Sequence, residues 1–296
     1  MLEGLAVPVP TLFDGSGAVD PSKNSRFTRQ LCDAGVDHLF ALGSLGEFPS
    51  LTDPERPVLL ESIIESLTRM ADAWVGCGAP STAQAIQRAV EAEELGAEAL
   101  VLVPPYYLRP TLASVAKYYR EVRSATKMPM LAYNIPSLVG YALPPSLVHE
   151  LAKDHVLVGI KDTSGSIESV RGFLTNAPKG FAVFPGDDAL VLDSMRAGAS
   201  GAVMGTGNIV PRLAKALVAS ARQGEDEKAA ELQALVDSLV EVTRAGPFPS
   251  TDKFLSGRLR GAEVGYRAPY DPLTPEEEGR VLARLAPLEP KLRPYL

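Results

Sequence analysis

Short apolar runs, each followed by a stretch with helical spacing, alternate along most of the chain. LAVPVPTLF at 5–13 leads into helical character over 21–34. HLFALGS at 38–44 precedes a helix expected over 54–70, with Asp53 as its N-cap and Pro54 in its first turn. AWVGCGA (73–79) precedes 81–95, capped by Ser81, and ALVLVPPYY (99–107) precedes 111–125. PMLAYNI (129–135) precedes 144–153, and VLVGIKDTS (156–164) precedes 166–176. FAVFPGDD (181–188) and GAVMGTGNI (201–209) precede 189–198 and 211–222. Eight such units, roughly 20 to 35 residues apart, have the size of βα units. The runs are continuously apolar, as strands are when a parallel sheet is covered on both faces. The pattern predicts an α/β fold, a closed (β/α)₈ TIM barrel. An open doubly wound sheet fits less well, because the Gly-rich dinucleotide turn is missing after the first run.

Beyond Gln223 the rhythm changes. Residues 226–244 form a long amphipathic stretch, 251–260 another, and 274–288 opens with the capping box Thr274-Pro275-Glu276-Glu277. The expected division is a barrel over 1–223 that carries the active site and a C-terminal helical extension over 224–296 with no chemistry of its own. The chain of 296 residues is 46% hydrophobic and 22% charged, enough for a core without disulfide or metal staples. No apolar run approaches about 18 residues, so no membrane span is expected. Met1 leads into Leu2-Glu3-Gly4-Leu5 without a basic segment, which predicts no signal peptide and a cytoplasmic protein. A net charge of −7 is the wrong sign for neutralising nucleic-acid phosphates. Cys32 and Cys77 read as small core residues. His38, His149 and His155 form no ligand-spaced pair, so no metal is expected.

In a barrel, function collects at the C-terminal ends of the strands. Lys161 ends the apolar run Val156–Ile160, placing an amine over an apolar interior. Burial disfavours the charged form of an amine and frees a nucleophile able to form a Schiff base with a carbonyl. The alternative is an ion pair with Asp162 or another rim carboxylate. Tyr133 ends the preceding run, where a phenol beside such a lysine would shuttle protons. Gly43-Ser44-Leu45-Gly46-Glu47 makes a turn whose N–H groups suit a carboxylate. Gly186-Asp187-Asp188 is placed to hold substrate hydroxyls, bind a cation or cap the next helix. Gly205-Thr206-Gly207-Asn208 sits where barrels often take phosphate.

With these residues assembled, the chain resembles the dihydrodipicolinate synthase / N-acetylneuraminate lyase family of class I aldolases. The resemblance runs through VPVPTLFDGSGAVD, GSLGEFPSLT, VPPYYLRP, YNIPSLVG, VGIKDTSG, FPGDDAL and GAVMGTGNIVP, in order and correctly spaced. GSLGEFPSLT, KDTSG and APYDPLTPEEE look most like 4-hydroxy-2-oxoglutarate and 2-keto-3-deoxy sugar-acid aldolases. The resemblance implies that Lys161 is the Schiff-base lysine, Tyr133 the general acid/base and Ser44 its hydrogen-bond partner. Tyr107 would complete the proton relay from a neighbouring subunit. The backbone around Ser44 and Leu45 would hold the pyruvate carboxylate, and Thr163, Gly186, Asp188 and Val203 would contact substrate. It further implies pyruvate and an aldehyde as reactants, no metal or organic cofactor, and a homotetramer.

Two positions depart from the family. Leu45 stands where a second hydroxyl is usual. Leu138 replaces the arginine with which the synthases bind the carboxylate of aspartate semialdehyde, removing a charge-assisted pair of about 2 kcal/mol or more. The expected activity is a pyruvate-dependent lyase acting on a 4-hydroxy-2-oxo acid. 4-Hydroxy-tetrahydrodipicolinate synthase, a sugar-acid dehydratase and a catalytically silent binding protein are the rivals. Arg109 is a further candidate for a distal carboxylate or phosphate, or else a solvated loop residue.

Overall fold

The computed structural model describes residues 2–296, so Met1 of the expected amino terminus lies outside the described residues. Eight short strands are buried along almost their whole length: β1 (Gly4–Pro8), β2 (His38–Ala41), β3 (Asp72–Gly76), β4 (Ala99–Leu102), β5 (Met130–Asn134), β6 (Gly159–Asp162), β7 (Ala182–Pro185) and β8 (Gly201–Val203). All ladders are parallel, in the order β7-β6-β5-β4-β3-β2-β1-β8. The seam between β7 and β8 is bridged by Ser200, whose N–H donates to the Val183 carbonyl at 2.9 Å. The result is a (β/α)₈ TIM barrel. Its interior is filled by large side chains, with Trp74 edge-on to Phe184 at a centroid separation of 5.0 Å.

Helices cover the barrel between strands: α1 (Pro21–Asp33), α2 (Glu55–Ile64), α3 (Thr82–Glu94), α4 (Leu112–Ala125), α5 (Pro136–Val139), α6 (Pro145–Lys153), α7 (Ile167–Leu174), α8 (Val191–Arg196) and α9 (Pro211–Gln223). In α1 the buried residues are Asn24, Phe27, Thr28, Leu31 and Cys32. That 3–4 spacing lays one stripe against the strands. The Ser81 N-cap forms as expected, its hydroxyl accepting from the Gln84 N–H.

Several boundaries differ from the sequence expectation. Asp53 does not cap α2. Glu55 reaches back to accept from the Thr52 N–H and hydroxyl, both at 2.9 Å, while Asp53 lies 3.5 Å from Arg88. The same helix stops at Ile64, not Met70. Ten residues rise about 15 Å, which already matches a strand of four or five residues. The helix expected over 189–198 is split into a 3₁₀ turn at Asp188–Leu190 and then α8. Gln233 intervenes there, its amide donating to the Asp188 carbonyl and accepting from the Leu192 N–H. The short helix α5, directly after β5, has no counterpart in the sequence reading.

The carboxy-terminal part contains α10 (Asp226–Thr243), α11 (Ser250–Arg260) and α12 (Pro275–Leu285). The capping box at Thr274 forms with both of its hydrogen bonds. Among the described residues no helix is long and apolar enough to cross a membrane. The placement of α11 matters most for the site, because it packs onto the turn after β8.

Candidate active site

Register brings the two principal residues together. Tyr133 of β5 is paired with Lys161 of β6, and Lys161 with Phe184 of β7. Strand alternation then puts Tyr133 and Lys161 on the barrel interior and sends Asn134 and Asp162 to the other face. There the Asn134 amide donates to the Asp162 carboxylate at 2.7 Å, and the Ser164 hydroxyl donates to it at 2.9 Å. Asp162 is therefore engaged away from Lys161. Among the described residues no carboxylate pairs with the Lys161 amine. The ion-pair alternative for Lys161 is not what the fold adopts.

Lys161 is buried at 4% exposure. Its Nζ donates to Thr163 Oγ1 at 2.7 Å and lies 3.7 Å from the centroid of the Tyr133 ring. Phe40 is below it, 6.0 Å from Nζ to the ring centroid. Gly186 keeps the space beside the amine open: a Cβ there would lie 2.7 Å from Nζ and 2.2 Å from Thr163 Oγ1. The Tyr133 hydroxyl lies 3.5 Å from Ser44 Oγ. Such contacts in an empty site tighten when a reactant arrives. Burial pushes the Tyr133 phenol up, but the neighbouring Lys161 charge and hydrogen bonds with Lys161, Ser44 and Thr163 outweigh it. The net effect holds the phenol below its ordinary value.

Across the cavity, the Ser44–Gly46 turn follows β2. The N–H groups of Ser44, Leu45 and Gly46 have no acceptor among the described residues. The turn is pinned from outside by the Thr11 hydroxyl, which donates to the Gly46 carbonyl at 2.6 Å. Three unclaimed N–H groups in a largely buried turn form a cradle for an anion. Leu45 lines the cavity, and its side chain has no hydroxyl to offer. Val203 and Gly205 complete the wall near β8.

The cavity of about 280 Å³ brings together Ser44, Leu45, Tyr133, Lys161, Thr163, Gly186, Asp188 and Val203. Of the sequence candidates, Tyr107 and Arg109 stand elsewhere. Tyr107 is 93% exposed, held at φ +73° on the loop after β4, and does not line this cavity. Arg109 is on the same exposed loop, over the Tyr141 ring at 5.4 Å. Asp188 lines the cavity, but its carboxylate accepts from the N–H groups of Gly205 and Thr206 and from the Thr206 hydroxyl. It caps the turn after β8 and not its own helix. His38 opens β2 at the opposite end of the barrel, 2.6 Å from Asp72. Burial pushes the Cys77 thiol up to about 12, leaving it a core residue just past the end of β3.

The sequence reading missed what the extension supplies. Phe248 and Asp252 line the lysine cavity, and Phe248, Pro249 and Tyr270 line an adjoining apolar cavity of about 390 Å³. Behind them Lys253 of α11 pairs at 2.5 Å with Glu47, both side chains 1% exposed. The only signals were two adjacent charges, Asp252-Lys253, within a helix whose polar residues hide its buried face.

A nucleophilic lysine at the mouth of a parallel barrel, beside a phenol and facing an anion cradle, defines a Schiff-base lyase of the barrel-fold aldolase class. The profile of the dihydrodipicolinate synthetase family matches residues 1–287, and the chain belongs to that family. A 4-hydroxy-tetrahydrodipicolinate synthase of Idiomarina loihiensis is 30% identical over 282 residues, 95% of each chain. An uncharacterised DapA-like lyase of Halobacterium salinarum is 31% identical over 97% of this chain and 94% of its own. The crystal structure of YagE from E. coli K12, a family member in complex with pyruvate, superposes with a TM-score of 0.93 at 28% identity, covering 98% of this chain and 99% of that one.

Proposed function

We propose that the protein is a pyruvate-dependent class I aldolase that cleaves or forms a 4-hydroxy-2-oxo acid. The observation that carries this reading is the Lys161 amine, free of any carboxylate partner, with open space beside it and the Tyr133 phenol against it. In the cleavage direction Lys161 attacks the 2-oxo carbon, and loss of water gives the imine, while the N–H groups of Ser44 and Leu45 hold the carboxylate. The iminium draws electrons as Tyr133 takes the proton from the C4 hydroxyl. The C3–C4 bond breaks, the aldehyde leaves, and the pyruvate enamine is protonated and hydrolysed. Reversal is aldol addition, and the lysine supplies the electron sink.

In this reading Thr163 positions the amine, and Gly186 and Val203 bound the reacting carbons. Tyr107, unoccupied within its own chain, completes the relay in a homotetramer by entering beside Ser44 of a neighbouring subunit. The barrel over 1–223 carries the reaction, and the extension over 224–296 closes one side of the cavity. The synthase named for one relative has less support, since Leu138 offers a semialdehyde carboxylate no cation.

The test is borohydride reduction in the presence of pyruvate followed by peptide mass spectrometry. The expected result is a reduced pyruvate adduct on the peptide containing Lys161. Absence of an adduct with pyruvate and with larger 2-oxo acids alike would overturn the reading. Tyr133→Phe is expected to lower kcat for cleavage about 10²-fold or more, a usual contribution for a positioned general acid/base. Its pyruvate adduct should still be trapped, more slowly. A loss confined to KM would mean that the phenol binds substrate without moving a proton.

A further inference from the structure

We propose that Asp252 is a specificity-determining residue of the lysine cavity, binding a hydroxyl of the aldehyde half and, with Asp188, turning away aldehydes that carry a carboxylate. The inference rests on the aldolase reading above and extends it to the second reactant.

Asp252 reaches the cavity from α11 and is 8% exposed. Among the described residues its carboxyl has no cation, and no hydrogen-bond donor reaches it except its own backbone N–H. A buried carboxyl without a partner that faces a cavity is a group awaiting a donor. The fold does not lack a nearby amine: Lys253, the next residue, turns the other way and is consumed by Glu47 and the Gly265 carbonyl. Asp188, the residue the sequence marks for substrate hydroxyls, has its oxygens taken by Gly205 and Thr206. That duty passes to Asp252.

The same inventory excludes a second carboxylate. Lys161 is spent in the imine, and the Ser44–Gly46 cradle holds the carboxylate of the 2-oxo acid. Leu138 lines the cavity with no charge, and Arg109 is outside it. Burial pushes the Asp188 carboxyl up, while the three hydrogen bonds from Gly205 and Thr206 oppose that push and favour its charged form. Burial and the neighbouring Asp188 push the Asp252 carboxyl up to about 7, so near neutrality it both accepts from and donates to a hydroxyl. The groups facing it across the cavity are Asp188, Lys161 and Tyr133. None of them is free to pair with an incoming anion.

The experiment measures kcat/KM at pH 8 for condensation of pyruvate with glyceraldehyde, propionaldehyde and glyoxylate, in the wild type, Asp252→Val and Asp252→Asn. The wild type is expected to prefer glyceraldehyde over both others. Asp252→Val should lose about tenfold or more on glyceraldehyde and little on propionaldehyde, which lacks the hydroxyl. Asp252→Asn should raise the glyoxylate-to-glyceraldehyde ratio about tenfold by removing a like charge. Equal losses on glyceraldehyde and propionaldehyde, or a wild-type preference for glyoxylate, would overturn the proposal while borohydride trapping at Lys161 left the aldolase reading standing. Wild-type protein that forms no pyruvate adduct overturns the aldolase reading itself, and the specificity role with it.

Discussion

Lys161→Ala is expected to abolish borohydride-dependent attachment of pyruvate and to lower kcat for aldol cleavage by about 10⁴-fold or more, the scale of losing a covalent nucleophile. No substitute amine is at hand: Lys161 is the one lysine among the residues lining its cavity. Lys253, the lysine that follows cavity-lining Asp252, is held at 2.5 Å from Glu47 with its side chain fully enclosed. The reaction therefore has no second electron sink in this cavity. Peptide mapping after reduction checks the first part, and pyruvate release from a 4-hydroxy-2-oxo acid checks the second. An adduct of undiminished yield on another lysine in the variant would remove Lys161 from its assigned role. Circular dichroism should stay unchanged, because the Lys161 side chain meets Thr163 and Tyr133 at the cavity wall while the β5–β6 ladder holds through its backbone.

The second large effect is on stability. Lys253→Met should destabilise the protein by about 3–5 kcal/mol, seen as a lower urea midpoint. The methionine fills the space over the Phe13 and Tyr266 rings where the ammonium sat, 4.8 and 5.5 Å from their centroids. What remains is Glu47, 2% exposed, whose carboxylate oxygens have no partner other than Lys253 among the described residues. Burial already pushes that carboxyl up, with the Lys253 charge as the largest opposing influence. Removing the charge leaves a buried anion that must take up a proton or drag in water. The double variant Glu47→Gln, Lys253→Met should recover more than half of the loss, since a buried pair replaced as a whole is often close to neutral. A single variant as stable as the wild type would show that water already reaches Glu47. The pair also spans two walls of the cavity region. Glu47 adopts φ +53° immediately after the Ser44–Gly46 cradle, and Lys253 adjoins Asp252. One ion pair thus fastens the Ser44–Gly46 turn to the helix that carries Asp252.

The barrel was legible because its strands are apolar on both faces and its helices are apolar on one. Those two periods alternate eight times in the chain without any knowledge of three-dimensional contacts. The lysine was legible for a related reason: a charge at the end of the run Val156–Ile160 has to emerge at the barrel mouth. Local capping was half legible. Ser81 and Thr274 cap as their spacing demands, whereas Asp53 was displaced by a Thr52–Glu55 interaction and drawn to Arg88, a residue of the next helix.

What the linear pattern withheld were pairings between distant segments. Whether Lys161 is ion-paired depended on where Asp162 turned, and Asp162 turns to Asn134 on the neighbouring strand. Asp188 reads as open to a substrate hydroxyl, and folding brings three donors from Gly205 and Thr206, on another loop, to its carboxylate at the cavity wall. The extension reads as chemically silent because the buried residues of α11 include Ser250, Thr251, Asp252, Lys253 and Ser256, a polar face with no hydrophobic period to mark it. By itself, then, the sequence determined the repeating βα architecture, the lysine and phenol at adjacent strand ends, and the family. The first two depend on hydrophobic period and on where each apolar run ends, which are local, and the third on motifs standing in order along the chain. Only the tertiary structure decided which acids are free and which are spent, because a carboxyl's availability is set by the donors and charges that folding brings to it from elsewhere in the chain.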